Sequence, residues 1–93
     1  MERITAKDGA GAYCAPARFA QVEGDCLRGV AIDRLGAFED AIELMESQLA
    51  DVAGKLDRLK AQGKIRGAQG QQLLARKLVL SSTLSLLRAR NGE

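Results

Sequence analysis

Basic side chains within and just after a glycine-rich stretch are the residues of this sequence best suited to do chemistry. The stretch, residues 63–70, contains Lys64 and Arg66 between three glycines, and Arg76 and Lys77 follow it. Lysine and arginine bind phosphate and carboxylate groups, and the free backbone N–H groups at the start of a helix attract the same anions. If a helix begins in this stretch, these four basic residues predict an anion-binding surface.

The same stretch also has a simpler interpretation as a turn. It lacks a preceding strand and the Gly-Lys-Ser/Thr ending that a nucleotide-binding phosphate loop requires. Its glycines would then allow the backbone to turn between two helices, while the basic side chains keep the protein soluble and pair with acidic neighbours. The sequence leaves both interpretations open.

Residues suited to catalysis or metal binding are scarce. The sequence has no histidine and two cysteines, Cys14 and Cys26, whereas a structural zinc site takes four Cys or His ligands. Neither cysteine has the neighbours of a reactive thiol, so we expect both to be buried and structural, with a redox pair as the alternative. The carboxylates at residues 39–46 are ordinary for the solvated side of a helix. The sequence therefore predicts a protein that is not an enzyme and has no metal or cofactor.

An apolar repeat predicts the first of the two helices that would position the basic residues. Its members fall at spacings of 3, 4, 3, 4, 3, 4 and 3, as in a coiled-coil seam. They are Leu35, Phe38, Ile42, Met45, Leu49, Val52, Leu56 and Leu59. Acidic residues early and basic residues late complement the helix dipole, and Gly63 is suited to end the helix in a left-handed conformation. The pattern predicts a first helix over residues 31–62.

A second helix is predicted over residues 70–90. On a helical wheel, Leu73, Leu80, Leu84 and Leu87 form one face, Leu74 and Leu78 a second, and Val79 and Leu86 a third. A helix that is apolar almost all round needs neighbours on several sides. Because the first helix can cover one of those faces, we expect helices of other copies to cover the rest.

Chain length also favours self-association. A domain of 93 residues buries only about 60–65% of the surface of its unfolded chain, which makes a monomer marginal. Disulfides, a metal or oligomerisation usually supply the missing stability, and the first two are not expected here. No apolar run has the length of a signal peptide or of a membrane-spanning helix. We therefore expect a homo-oligomer in the cytoplasm, without a membrane partner.

The N-terminal part of the sequence differs from the rest. Residues 1–30 read as irregular or weakly β, with a short hairpin that turns at residues 7–11. Residues 19–30 read as a connector with about one helical turn. The predicted fold is therefore mainly α. It is an antiparallel two-helix hairpin over residues 31–93 that follows a short irregular or β-hairpin segment and packs into a helical homo-oligomer.

Charge is distributed unevenly along the chain. Residues 1–51 carry 5 basic and 10 acidic side chains, and residues 52–93 carry 9 basic and 2 acidic ones. An antiparallel hairpin would bring the acidic residues 39–46 close to Arg88 and Arg90. The basic residues at 55–66 would then gather at the turn end, largely without acidic partners. This end is where we expect the chain to attract an anion most strongly.

Three segments resemble a pattern found in small helical proteins of bacteriophages and prophages of Gram-positive gut bacteria. They are Met1-Glu2-Arg3-Ile4-Thr5, Ala31-Ile32-Asp33-Arg34-Leu35-Gly36-Ala37-Phe38-Glu39-Asp40 and the run from Leu59 through Lys64 to Leu78. The resemblance implies an accessory protein of a mobile element, made in a bacterial cytoplasm. It also implies inhibition of host defence, either by binding a nuclease complex or by sequestering a nucleotide signal.

Three functions follow as hypotheses. The first is a binding protein that counters host immunity, with a nucleotide signal or a host defence protein as its partner. It would bind through basic pockets at Lys64, Arg66, Arg76 and Lys77 or through its helical surface. The second is a DNA- or RNA-binding accessory protein, whose basic half would neutralise phosphates. The third is a structural coiled-coil adaptor whose seam receives a partner helix.

Overall fold

The computed structural model describes residues 2–92 and consists of two short β-hairpins followed by two long α-helices. The strands are β1 (Ala6–Lys7), β2 (Tyr13–Cys14), β3 (Gln21–Glu23) and β4 (Cys26–Arg28), and the helices are α1 (Val30–Ala61) and α2 (Ala68–Arg90). A 3-10 turn, Ala17–Phe19, lies between the hairpins. The chain forms two compact units, Met1–Asp40 and Ala41–Glu93. The predicted mainly α fold is confirmed, and both helices begin and end within two residues of their predicted bounds.

The first hairpin is the one that the sequence predicted. Strands β1 and β2 pair antiparallel, and Asp8 organises the loop between them. One oxygen of its carboxylate accepts hydrogen bonds from the backbone N–H groups of Ala10, at 2.9 Å, and Ala12, at 3.0 Å. Aspartate favours turns because its short side chain can satisfy nearby backbone donors in this way.

The second hairpin corrects the sequence prediction. Residues 19–30 were expected to be a connector, but β3 and β4 pair antiparallel across a two-residue Gly24-Asp25 turn. A two-residue loop that starts with glycine is a common hairpin turn. The prediction was wrong because it relied on apolar alternation, and this hairpin has no buried face: Val22 and Leu27, which lie opposite each other, are both exposed.

Helices α1 and α2 form the predicted helical hairpin within the second unit. The buried side chains come from both helices: Val52, Leu56 and Leu59 from α1, and Leu80 and Leu84 from α2. Met45, Leu49, Ile65 and Leu73 are half-buried and pack against the cluster of Val52, Leu56 and Leu80. Ile42 and Leu87 are also half-buried. Within residues 2–92, neither helix has an apolar stretch long enough to cross a membrane.

Helix α1 ends at the glycine that the sequence predicted. Gly63 adopts a φ of +71°, which glycine reaches without the steric cost of a side chain. Two hydrogen bonds close the end: the Lys64 N–H donates to the Leu59 carbonyl at 2.8 Å, and the Gly63 N–H donates to the Lys60 carbonyl at 3.1 Å. This pair of bonds is the Schellman motif, which satisfies the last carbonyls of a helix.

The backbone of the loop after α1 packs closely against the first turn of α2. Gly70 is buried, and a Cβ atom built on it would lie 1.9 Å from the carbonyl oxygen of Ile65. The sequence placed Gly70 at the boundary between turn and helix, whereas it lies inside α2, where its missing side chain makes room for the loop. In α1, by contrast, a Cβ atom on Gly54 would meet nothing within 4 Å.

Ion pairs within the second unit follow the predicted charge pattern in part. The Arg88 guanidinium lies 2.9 Å from the Glu46 carboxylate, which confirms that the acidic part of α1 meets the basic end of α2. At the other end, Lys55 lies 3.1 Å from Asp51 in the preceding turn of α1. Lys55 is therefore neutralised locally, contrary to the expectation for residues 55–66.

Candidate functional site

The four basic residues proposed from sequence as an anion site are all exposed. Lys64 and Arg66 lie in the loop between the helices, and Arg76 and Lys77 are successive residues of α2. Successive helical residues point about 100° apart, so Arg76 and Lys77 lie on different sides of α2. Within residues 2–92, none of the four side chains makes an ion pair or a hydrogen bond. Their charge is thus available to an external anion, but no contact brings the four together.

The start of α2 adds a weak positive potential next to the loop. Gly67 is the N-cap residue, and no side chain caps the helix there. Uncapped N–H groups at a helix start carry the positive end of the helix dipole. Lys64 and Arg66 immediately precede these groups in the chain. The positive side chains and the positive end of the helix dipole are therefore close to each other in sequence.

The side of α2 opposite its buried leucines is apolar and exposed. Leu78 is 68% exposed, Val79 64% and Leu86 61%, while Leu84 is 1% exposed. Leu74 is exposed as well. From the sequence, Leu74 and Leu78 were expected on one face of the helix and Val79 and Leu86 on another, both in need of partners. In the chain as it stands, they have none within the described residues.

Small residues join those two faces into one surface, and the sequence analysis missed them. With Leu78, they recur at spacings of 3 and 4, which keeps them on one side of the helix. We call this surface the outer face: Leu74, Ala75, Leu78, Val79, Ser82, Ser85, Leu86 and Ala89, all exposed. No residue of the outer face is charged. The signal that would have revealed it is this absence of charge over one whole side of an exposed helix.

The mixture of large and small side chains on the outer face is suited to packing against a second helix. Helices pack by fitting the side-chain ridges of one into the grooves of the other, at interaxial distances that depend on side-chain size. Alanine and serine beside the leucines leave grooves between the larger side chains, into which the side chains of a partner helix can fit. Contiguous exposed apolar surfaces often mark interaction sites.

The charge of α2 is entirely basic. It contains Arg76, Lys77, Arg88 and Arg90 and no acidic residue, and only Arg88 has an acidic partner within the described residues. None of these four residues belongs to the outer face. A partner of the outer face would therefore meet an apolar centre with positive charge beside it.

The N-terminal part of α1 shows the opposite combination. Residues 33–46 contain five acidic residues, Asp33, Glu39, Asp40, Glu43 and Glu46, and one basic residue, Arg34. We call these residues the acidic segment. Its two first seam residues are exposed, Leu35 at 55% and Phe38 at 43%. The Arg34 guanidinium donates a hydrogen bond to the Glu2 carbonyl, so the one base of the segment is already engaged.

The cysteines were expected to be buried, and this expectation was wrong. Cys14, in β2, and Cys26, in β4, are both exposed and free. The expectation rested on the lack of neighbours that would make either thiol reactive, and it fails here because no residue of the described range 2–40 is buried.

Exposed thiols give a direct test of the N-terminal structure. We expect both Cys14 and Cys26 to react with a thiol-specific chromogenic reagent in the folded protein, because accessibility is one of the two controls on thiol reactivity. The measurement is the number of thiols titrated per chain without denaturant, compared with the number in guanidinium chloride. A thiol that reacts only after unfolding would contradict the exposed positions described above.

No known protein family, characterised protein or solved structure matches the chain. The surfaces of the chain that could carry a function are the outer face of α2, the acidic segment of α1 and the basic residues at 64, 66, 76 and 77, which are unpaired within residues 2–92.

Proposed function

We propose that this protein acts by binding, as a non-enzymatic helical adaptor that receives a second α-helix on the outer face of α2 and thereby self-associates. The observation that supports this function is the outer face itself, a charge-free side of an exposed helix that carries Leu74, Leu78, Val79 and Leu86. Helices that bind grooves or one another use such apolar faces, with contacts spaced three or four residues apart.

The energetics favour occupation of this face. A helix on the surface of a stable monomer normally presents polar and charged residues to water, and α2 presents leucine and valine instead. Full burial of one such side chain contributes roughly 1.5–3 kcal/mol. Leu78, Val79 and Leu86 together could therefore offset a large part of the entropy lost on association, which is estimated at about 4–15 kcal/mol.

The test replaces two exposed leucines of the outer face by charged residues. We expect Leu78→Glu/Leu86→Glu to abolish self-association, because a partner helix would have to desolvate two carboxylates. The matched control is Gln72→Glu/Thr83→Glu, which adds the same charge to exposed positions of α2 outside the outer face. Native mass spectrometry and light scattering report the number of chains, and far-UV circular dichroism reports the helicity.

Two results would contradict the adaptor function. One is a wild-type protein that stays monomeric up to high micromolar concentration. The other is an outer-face variant that assembles as the wild type does. Loss of assembly in the control variant as well would point to general charge repulsion rather than to the outer face.

Anion binding is the second candidate function. The observation that favours it is that Lys64, Arg66, Arg76 and Lys77 have no acidic partner within residues 2–92. Their ligand would be a nucleotide signal or a nucleic acid. Binding to a nucleic acid that depends on such residues weakens linearly with the logarithm of salt concentration, with a slope of about −0.9 per phosphate contact for duplex DNA.

The anion hypothesis is tested with Lys64→Glu/Arg66→Glu. We expect this variant to lose binding to fluorescently labelled duplex DNA at low salt, while Lys7→Glu/Arg18→Glu, with the same change of net charge elsewhere, retains it. Native mass spectrometry of the freshly purified wild type separately reports any retained nucleotide. Absence of both DNA binding and a retained nucleotide would eliminate this function.

Inhibition of host defence remains a prediction of the sequence resemblance. If it holds, the helix received by the outer face in the cell would belong to a host defence complex, or the basic residues would sequester a nucleotide signal in the bacterial cytoplasm. The two variants described above separate these routes, since the outer-face variant disables the first and the Lys64→Glu/Arg66→Glu variant disables the second.

A further inference from the structure

We infer that the helix received by the outer face of α2 is the acidic segment of α1, residues 33–46, from a second copy of this chain. The inference rests on the proposed function and names its partner. The two surfaces, the outer face and the acidic segment, are both left uncovered by the described residues. The outer face has basic residues beside it, and the other surface is acidic.

Charge complementarity selects the acidic segment over the other helical surfaces of the chain. Helix α2 has four basic residues and no acidic one, and the acidic segment has five acidic residues and one basic one. Two copies of α2 packed on each other would bring like charges together, which opposes association. Two acidic segments packed on each other would do the same, so the mixed pairing is the favourable one.

Most of these charges have no partner within a single chain. Of the five acids of the segment, Glu46 alone makes an ion pair within residues 2–92, with Arg88. On α2, the side chains of Arg76, Lys77 and Arg90 make none in the same range. Charges left unpaired on both surfaces are free to attract each other between copies.

Shape also matches between the two surfaces. The acidic segment presents Leu35 and Phe38, which are exposed and three residues apart, followed by the half-buried Ile42 at the next seam position. In coiled-coil packing, each such side chain inserts between four residues of the facing helix. The outer face offers small residues beside leucines, so side chains such as Leu35 and Phe38 have both grooves to enter and apolar neighbours to contact.

The inferred contact joins two different surfaces, so each copy carries both halves of it. Contacts of this kind build rings or open chains, or a two-fold dimer when both halves are exchanged at once. One consequence is independent of which of these forms. A chain that has lost its outer face and a chain that has lost its acidic segment still share one intact contact.

The experiment mixes two such chains. The first is the outer-face variant Leu78→Glu/Leu86→Glu, and the second is Leu35→Lys/Phe38→Lys, which removes the two exposed seam residues of the acidic segment. We expect each variant alone to be monomeric and helical, and their equimolar mixture to form a complex with one chain of each. Native mass spectrometry resolves the complex because the variants differ in mass.

The outcomes separate the inference from the proposed function. If Leu35→Lys/Phe38→Lys assembles as the wild type does while the outer-face variant is monomeric, the proposed function stands and the inference fails. If both variants are monomeric and the mixture gives no complex, the inference also fails. If both variants assemble as the wild type does, the inference and the proposed function fail together.

A charge swap tests the electrostatic part of the inference in the folded, full-length chain. We expect Glu39→Lys/Glu43→Lys to raise the dissociation constant about tenfold or more, because like charges then face each other. Adding Arg76→Glu/Arg90→Glu to the same chain should restore most of the affinity. The control Asp25→Lys/Asp57→Lys makes the same net change outside the segment and should leave the constant unchanged. Failure of the combined variant to regain affinity would overturn the inferred pairing.

Discussion

Replacing Leu84 by alanine is expected to lower the free energy of unfolding by about 3–5 kcal/mol. Leu84 is 1% exposed and is the largest fully buried side chain of the described residues. Alanine would remove most of this buried side chain and leave a cavity that two helices alone cannot easily close. Because small domains have a total stability of about 5–15 kcal/mol at best, this one change should bring the helical hairpin close to unfolding. Denaturation followed by far-UV circular dichroism measures the loss.

The matched control is the same substitution at Leu78 of the same helix. Leu78 is 68% exposed, and substitutions at exposed positions usually change stability by about 0.5 kcal/mol or less. The comparison is made at low protein concentration, because association stabilises a folded chain by mass action and Leu78 belongs to the outer face. Equal losses at Leu84 and Leu78 would mean that α2 packs on α1 through a different side.

The helices could be predicted from sequence because their signal is local and repeated. The apolar repeat from Leu35 to Leu59 continues over four heptads, and its period agrees with that of a helix packed on another helix. The helix end at Gly63 could be predicted for a related reason, since a left-handed residue is needed there and glycine adopts it most easily. Both predictions depend on neighbouring residues alone.

The β-hairpins carry a weaker signal. Their strands have two or three residues each, too few for apolar alternation to show. The first hairpin was found from its Asp-Gly turn cluster, and the second was missed although Gly24-Asp25 is also a turn sequence. With no buried residue in the described range 2–40, this region has no core from which its pairing, or the exposure of Cys14 and Cys26, could be inferred.

The candidate site was predictable only in parts. The basic residues were expected at the surface, and all four are exposed. The outer face was not foreseen as one surface, because alanine and serine do not count in an apolar pattern. The sequence grouped Leu73, Leu80, Leu84 and Leu87 on one face of α2 as a core or oligomer seam, but it did not show whether that face meets α1 or another copy. The burial of Leu80 and Leu84, and with it the exposure of Leu78 and Leu86, depends on tertiary packing.

Replacing Gly70 by alanine is expected to destabilise the helical hairpin, although helix propensity alone predicts the opposite. Alanine in place of glycine inside a helix normally contributes about 1 kcal/mol. At Gly70 the added Cβ atom would lie 1.9 Å from the Ile65 carbonyl oxygen, so the loop backbone would have to move. Overpacking of this kind typically costs about 1–3 kcal/mol. Thermal unfolding should show a lower midpoint than in the wild type.

Gly54→Ala provides the control with the opposite sign. Gly54 lies inside α1, and a Cβ atom there would meet nothing within 4 Å. Alanine should therefore raise the free energy of unfolding by the full difference in helix propensity. For a chain of this size, 1 kcal/mol corresponds to a shift of the melting temperature of about 4–8 °C. We therefore expect the two alanine variants to melt on opposite sides of the wild type. If Gly70→Ala were as stabilising as Gly54→Ala, the loop backbone could not lie against α2. The close contact between Gly70 and Ile65 would then be absent from the folded protein.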